Sequence, residues 1–294
     1  MKAFIFPGQG SQFVGMAEDL YNNNSRIKER IDEADQILGF SLSDIMFEGP
    51  KEELLQTKFT QPAIFVHSVA LFETLDIKPD MAAGHSLGEF SALASVGALE
   101  FKSALELVAL RGSLMQEAGQ QNEGTMAAVI GLGDDLIDQI CREASELSGK
   151  PVVPANYNCP GQLVISGDTD AVKKAVDLAK EKGCRLAKML PVSGAFHSPL
   201  MKPAVQGLKE KLGKVDIDKP KCPVYANFTA EPTTDSEEIR KNLVNQLTNP
   251  VKWTSTLQNM NAQGATEFIE VGPGKVLQGL VKRTLKDVEI SGYQ

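Results

Sequence analysis

The chain has 294 residues, 42% of them hydrophobic and 23% charged, with a formal net charge of -8. That length can bury a sizeable core in one large domain or two smaller ones, and the composition is that of an ordinary soluble globular protein. The acidic balance excludes a broad nucleic-acid-binding or membrane-surface face, since both want positive charge.

Cys141, Cys159, Cys184 and Cys222 are far apart and form no C-x-x-C pair, so neither a zinc site nor a disulfide framework is indicated, and reduced, structural thiols are expected. Lys2 precedes only Ala3-Phe4-Ile5-Phe6 before Pro7-Gly8, too short for a signal-peptide core, and no later run approaches membrane-spanning length. A cytoplasmic location is expected.

Ala3-Phe4-Ile5-Phe6 predicts a buried strand running into a glycine-rich turn, Pro7-Gly8-Gln9-Gly10-Ser11-Gln12. Such a turn brings backbone N–H groups close to whatever sits above the strand end, or is a plain connector. Helical periodicity follows in residues 25–39, where Ile27, Ile31, Ala34 and Leu38 repeat at three to four, and in residues 61–76.

Gly84-His85-Ser86-Leu87-Gly88-Glu89 has the G-x-S-x-G form of a nucleophile elbow, in which a serine is exposed on a sharp turn between a strand and a helix. Asp80-Met81-Ala82-Ala83 supplies the strand, residues 90–99 the helix, and Glu89 falls in the first helical turn, where a carboxylate suits the dipole. The flanking glycines are needed because a side chain there would meet the neighbouring backbone.

A second helix is expected over residues 101–117, with Arg111 projecting from its apolar stripe between Leu107, Val108, Leu114 and Met115. A guanidinium there needs an anionic partner. That partner is a carboxylate of the protein, water at the stripe's edge, or a substrate carboxylate held by two parallel hydrogen bonds.

After a polar, glycine-bearing boundary at residues 116–124 comes a compact alternating unit. Its strands are expected at 126–130, 152–156, 163–166 and 185–190, and its helices at 135–147, capped by Asp134, and 170–182. The order β-α-β-β-α-β is that of a ferredoxin-like unit, inserted as a small lid or subdomain.

Only three histidines are available as a general base. His67 lies in an apolar helical segment and reads as a packed residue, while His85 sits inside the elbow and should diverge from Ser86. His197, in the irregular loop Ser193-Gly194-Ala195-Phe196-His197-Ser198-Pro199, is the partner that remains for Ser86. Downstream, residues 224–227 and 267–271 are strand-like, and Gly272-Pro273-Gly274 leads into a last helix from Lys275, on which Lys275, Lys282 and Lys286 would share one face.

Taken together, Phe6 to Gln12, Thr60-Gln61-Pro62-Ala63, Gly84 to Glu89, Arg111-Gly112, Ala155 to Gly167, Ala195 to Ser198, Asn249-Pro250-Val251 and Glu270 to Leu277 are specific in order and spacing. Along nearly its whole length the chain resembles the bacterial malonyl-CoA:acyl carrier protein transacylases and the acyltransferase domains of polyketide and fatty acid synthases. The resemblance implies an α/β fold: a hydrolase-like core with a parallel central sheet over residues 1–123 and 194–294, and the ferredoxin-like subdomain over 124–193. It further implies Ser86 as nucleophile, His197 as base, Arg111 as ligand of the free malonyl carboxylate, and the backbone N–H groups of Gln9 and Leu87 as oxyanion hole.

In this family a main-chain carbonyl, placed near Asn249, orients the histidine in lieu of an acid. Phe196 is the form that the resemblance associates with malonyl choice, since its ring would crowd a substituent on the substrate's α-carbon, though some malonyl-specific members carry serine there, and Gln61, His85, Asn156 and Asn158 match positions around the cleft, where the amides could equally form turns. The expected reaction is a ping-pong transfer of malonyl from malonyl-CoA to the phosphopantetheine thiol of acyl carrier protein, in a monomer with no bound cofactor or metal. Lys182, Arg185 and Lys188, with the Lys275-Lys282-Lys286 stripe, are the expected docking patch for the acidic carrier. A polyketide-loading acyltransferase shares all of this chemistry; a serine hydrolase would have no need of Arg111, and a non-catalytic acyl-CoA-binding protein no need of Ser86, His197 and Arg111 together.

Overall fold

A computed structural model describes residues 1–192 and 194–294. Among the described residues ten strands form two sheets: β1 (Lys2–Phe6), β2 (Met81–Gly84), β3 (Gly124–Ile130), β4 (Val152–Cys159), β5 (Gln162–Asp168), β6 (Leu186–Met189), β7 (Val224–Tyr225), β8 (Pro232–Thr233), β9 (Glu267–Val271) and β10 (Glu289–Tyr293). The larger sheet has the order β10-β9-β1-β2-β7-β8; all its pairs are parallel except β7 with β8, so an antiparallel edge strand finishes an otherwise parallel sheet.

Parallel strands are short, apolar and covered on both faces. In β1 the period of two sends Phe4 and Phe6 into one core and Ala3 and Ile5 into the other. Beneath the first face lie the helices Thr57–Phe72, Gly88–Ser95 and Phe101–Gln121; beneath the second lie Trp253–Ala262 and Val276–Thr284. Register places Phe6 beside Gly84, so the turns after β1 and β2 emerge side by side at the carboxyl ends of the strands.

The smaller sheet, order β4-β5-β3-β6, is antiparallel throughout, and the helices Asp134–Ser148 and Thr169–Glu181 complete the expected β-α-β-β-α-β unit. Its helix-covered face has its own core of Ala127, Val129, Leu163 and Ile165, whereas Met126, Ala128 and Val164 face the main core. Edge strand β4 is tied to the larger body by a main-chain seam: Val251 N–H donates to Ala155 O at 2.8 Å and Tyr157 N–H to Val251 O at 2.9 Å.

Several details differ from the sequence expectation. The helix expected over 61–76 runs Thr57–Phe72, one turn earlier, and carries Pro62 inside it; burial of nearly the whole helix outweighs the one missing backbone donor. Asp134 is the first helical residue, with Gly133 as the cap. The last helix ends at Thr284 and Lys275 is only its cap, so Lys275, Lys282 and Lys286 do not form a helical stripe. The chain then continues into β10, which pairs with β9 from Glu289 to Tyr293.

Candidate active site

Ser86 sits where β2 turns into the helix Gly88–Ser95, with φ 52°, a left-handed conformation rare for a residue with a side chain. The glycines make that turn feasible. A Cβ on Gly84 would lie 1.8 Å from Gly88 O, one on Gly88 2.1 Å from Phe6 O, and one on Gly8 2.3 Å from His85 O. Strand, elbow and glycine-rich turn are thereby pressed together, and Gln9 and Leu87 come to flank Ser86 at the wall of a cleft of about 340 Å³. Neither the Gln9 nor the Leu87 N–H has a protein acceptor among the described residues.

His197 also has a positive φ, 55°, and such strain at two facing residues is typical of functional positions. Its Nε2 is 2.7 Å from Ser86 Oγ, and its Nδ1 is 2.8 Å from the main-chain oxygen of Gln246. A carbonyl only accepts, so Nδ1 carries the proton and Nε2 is free to accept from the serine hydroxyl. Burial, and then the charge of Arg111, push His197 down to about 3, so the imidazole is neutral at physiological pH.

The orienting carbonyl thus belongs to Gln246, three residues before Asn249. The main chain of Asn249 makes a lesser contribution to the same ring, while its side-chain amide donates to Asn245 O at 2.8 Å and Thr248 Oγ1 at 3.4 Å. The side chain of Asn249 lies outside the cleft wall and holds the turn that follows the helix Ser236–Gln246.

Arg111 is 1% exposed. Its Nη1 donates to Gln61 Oε1 at 2.6 Å, and its Nη2 to Gln246 Oε1 at 2.8 Å and to Ser86 Oγ at 3.1 Å. The guanidinium lies over the Phe90 ring, 5.6 Å from its centroid. No carboxylate of the described residues forms an ion pair with it, which disposes of the protein salt bridge that the sequence left open. Of its five N–H donors, three are taken by these hydrogen bonds, and Nε is buried without an acceptor among the described residues. Burial lowers it to about 10, against the opposing pull of Glu89, so it remains charged at neutral pH.

The remaining expected residues gather at the same cleft. Gln61 is buried and spends its amide NH₂ on Met115 Sδ at 3.4 Å. His85 diverges from Ser86, as expected, with Nε2 2.8 Å from Asn158 Oδ1 and its ring edge-on to Trp253 at 5.5 Å. Asn156, at a bulge of β4, and Phe196, beside His197, both face the cavity. His67 is a packed residue, pushed down by burial to about 4.

Sequence reasoning missed three residues. Gln246 accepts from His197 and Arg111 and donates through Nε2 to Ser86 O at 3.0 Å and Glu89 Oε2 at 2.7 Å. Asn227 accepts from Ser86 N–H at 2.6 Å, donates its side-chain NH₂ to Gly84 O at 2.6 Å, and its own N–H to Glu89 Oε2 at 3.0 Å. Glu89, read as a dipole carboxylate, is 2% exposed beneath the elbow. A signal existed: on the helix Ser236–Gln246 the amides Asn242 and Gln246 share the buried stripe with Ile239 and Leu243, and amides at core positions call for specific partners.

A serine on a strained elbow, paired with a neutral histidine beneath a small antiparallel layer, defines a class: α/β proteins arranged for acyl chemistry through a serine. The chain belongs to the acyl transferase domain family, whose model matches residues 3–293. It is 47% identical to the malonyl CoA-acyl carrier protein transacylase of Bacillus subtilis, over 98% of this chain and 93% of the relative. With the protein of that name from Escherichia coli K12 the identity is 45%, over 98% and 94%. Among solved structures, an acyl carrier protein S-malonyltransferase from Vibrio cholerae superposes with a TM-score of 0.96 at 44% identity, covering 100% of this chain and 96% of that one. A malonyl-transacylase in complex with its type II PKS acyl-carrier protein gives 0.95 at 42% identity, covering 99% and 95%.

Proposed function

We propose that this acyltransferase moves malonyl from malonyl-CoA to the phosphopantetheine thiol of an acyl carrier protein in fatty acid biosynthesis, through a malonyl ester on Ser86. The observation that carries the reading is a buried, charged Arg111 with unspent donors beside the candidate nucleophile. A carboxylate is the group that such a fork accepts.

Ser86 Oγ attacks the thioester carbon as its proton passes to His197 Nε2, and the oxyanion is held by the N–H groups of Gln9 and Leu87. The C–S bond breaks, and the coenzyme A thiolate leaves with the proton held by His197. The carrier's thiol, deprotonated by the same imidazole, then attacks the malonyl ester, and Ser86 recovers its proton. Gln61 orients Arg111, Phe196 limits substituents on the α-carbon, and His85, Asn156 and Asn158 shape the pocket.

In this reading residues 1–123 and 194–294 form the catalytic domain, and 124–193 an inserted subdomain that roofs the cleft. The protein would act as a cytoplasmic monomer; among the described residues no helix is long and apolar enough to cross a membrane. Exposed Lys182, Arg185 and Lys188 form the docking face for the carrier.

The test is to form the enzyme labelled with radioactive malonyl and follow its decay. Carrier-dependent discharge is expected. Fast discharge to water would favour a hydrolase, and no label would favour a binding protein. Label on Ser86→Ala would sink the scheme. Carriers from fatty acid and polyketide pathways, supplied in turn, separate the two pathway readings.

A further inference from the structure

We propose that Glu89 is the positioning residue of this site, a single carboxylate that holds nucleophile, base and carboxylate-binding arginine in register through two amides. The proposal rests on the acyl-transfer reading above and concerns a residue that touches none of the reacting atoms.

Glu89 Oε2 accepts from Asn227 N–H at 3.0 Å and from Gln246 Nε2 at 2.7 Å. The first bond fixes the segment whose side chain accepts from Ser86 N–H and donates to Gly84 O, and so fixes both sides of the elbow. The second decides which way the Gln246 amide points. With Nε2 toward Glu89 Oε2, an oxygen that already accepts from Asn227 N–H, Oε1 must face Arg111 Nη2; the flipped amide would set an oxygen against Oε2 and NH₂ against the guanidinium. The main-chain oxygen of the same Gln246 orients His197. Glu89 lies 138 residues from Asn227 and 157 from Gln246 in the chain, so no local turn can do the work.

The alternative is that Glu89 merely neutralises the dipole at the start of the helix Gly88–Ser95. The two roles part on substitution. Glu89→Gln removes the charge and keeps an acceptor oxygen for both donors, whereas Glu89→Ala removes both.

The experiment measures single-turnover malonylation of Ser86 per folded molecule in the full-length protein, together with the downfield proton resonance of His197 Nδ1–H, assigned by its loss in His197→Ala. Glu89→Ala is expected to malonylate roughly 100-fold more slowly, the loss typical of a small misplacement of reacting groups, and to shift that resonance. Glu89→Gln is expected to stay within about tenfold of the wild type. Equal losses in Glu89→Gln and Glu89→Ala, or an unshifted resonance in Glu89→Ala, would overturn the proposal. Should Glu89→Ala not fold, Glu89→Asp withdraws the carboxylate by one methylene and carries the same expectation; full-rate malonylation in it overturns the idea. If the wild type takes no malonyl label, the functional reading fails, and the resonance alone decides the role of Glu89.

Discussion

The main-chain oxygen of Gln246 stands 2.8 Å from Nδ1 of His197, so the base is oriented by a neutral dipole where many serine enzymes use a carboxylate. No anion is there to favour the imidazolium, and burial beside Arg111 disfavours it further. The ring protons of His197 should therefore keep their neutral-form chemical shifts from pH 8 to pH 5. A titration midpoint near the ordinary histidine value would contradict this.

Arg111→Ala should separate substrates by charge. Losing a charge-assisted contact costs about 2–3 kcal/mol, so malonyl transfer should fall roughly 30- to 150-fold further than acetyl transfer. Rates with malonyl-CoA and acetyl-CoA measured side by side decide it, and equal losses would return Arg111 to a purely structural role.

His67 gives stability a pH dependence. Its folded value, about 4, lies below the unfolded one, so between those values the unfolded chain binds a proton that the folded chain does not. Stability is full above the unfolded value and is lost as pH falls toward the folded one, by about 3 kcal/mol from this residue. Denaturant unfolding at pH 7 and pH 4.5 should show a smaller difference in His67→Leu than in the wild type. An unchanged difference would rule His67 out.

Gly84→Ala should be among the most damaging small substitutions in the chain. The new Cβ meets backbone, Gly88 O at 1.8 Å, and no side chain can swing aside to relieve it. A loss of about 3 kcal/mol or more in unfolding free energy is expected, together with loss of Ser86 labelling. Gly279→Ala, inside the helix Val276–Thr284 where nothing lies within 4 Å of the added Cβ, is the matched control and should melt at or slightly above the wild type.

The elbow was legible in the sequence because its constraint is local: a sharp turn needs glycine on both sides of Ser86, and the strand and helix around it are short and apolar. The β-α-β-β-α-β unit was legible for the same reason, its periods changing cleanly between two and 3.6. Gln246, Asn227 and the true role of Glu89 were not, because each is defined by partners far along the chain, and an amide in a helix looks like surface until its neighbours are known. The lysine stripe failed for a different reason. It assumed a helix through Lys286, whereas the chain leaves the helix at Thr284 to pair β10 with β9.

The seam at Ala155, Tyr157 and Val251 has a mechanical consequence. Strand β4 is stitched to the larger body, while β6, at the opposite edge of the small sheet, leads directly into the segment that carries His197. Any relative rotation of the two sheets is a swing about the stitched edge, with its greatest travel at β6. His197, held by the Gln246 carbonyl of the larger body, would stay beside Ser86 through such a swing, so the cleft can widen at that edge without parting base from nucleophile.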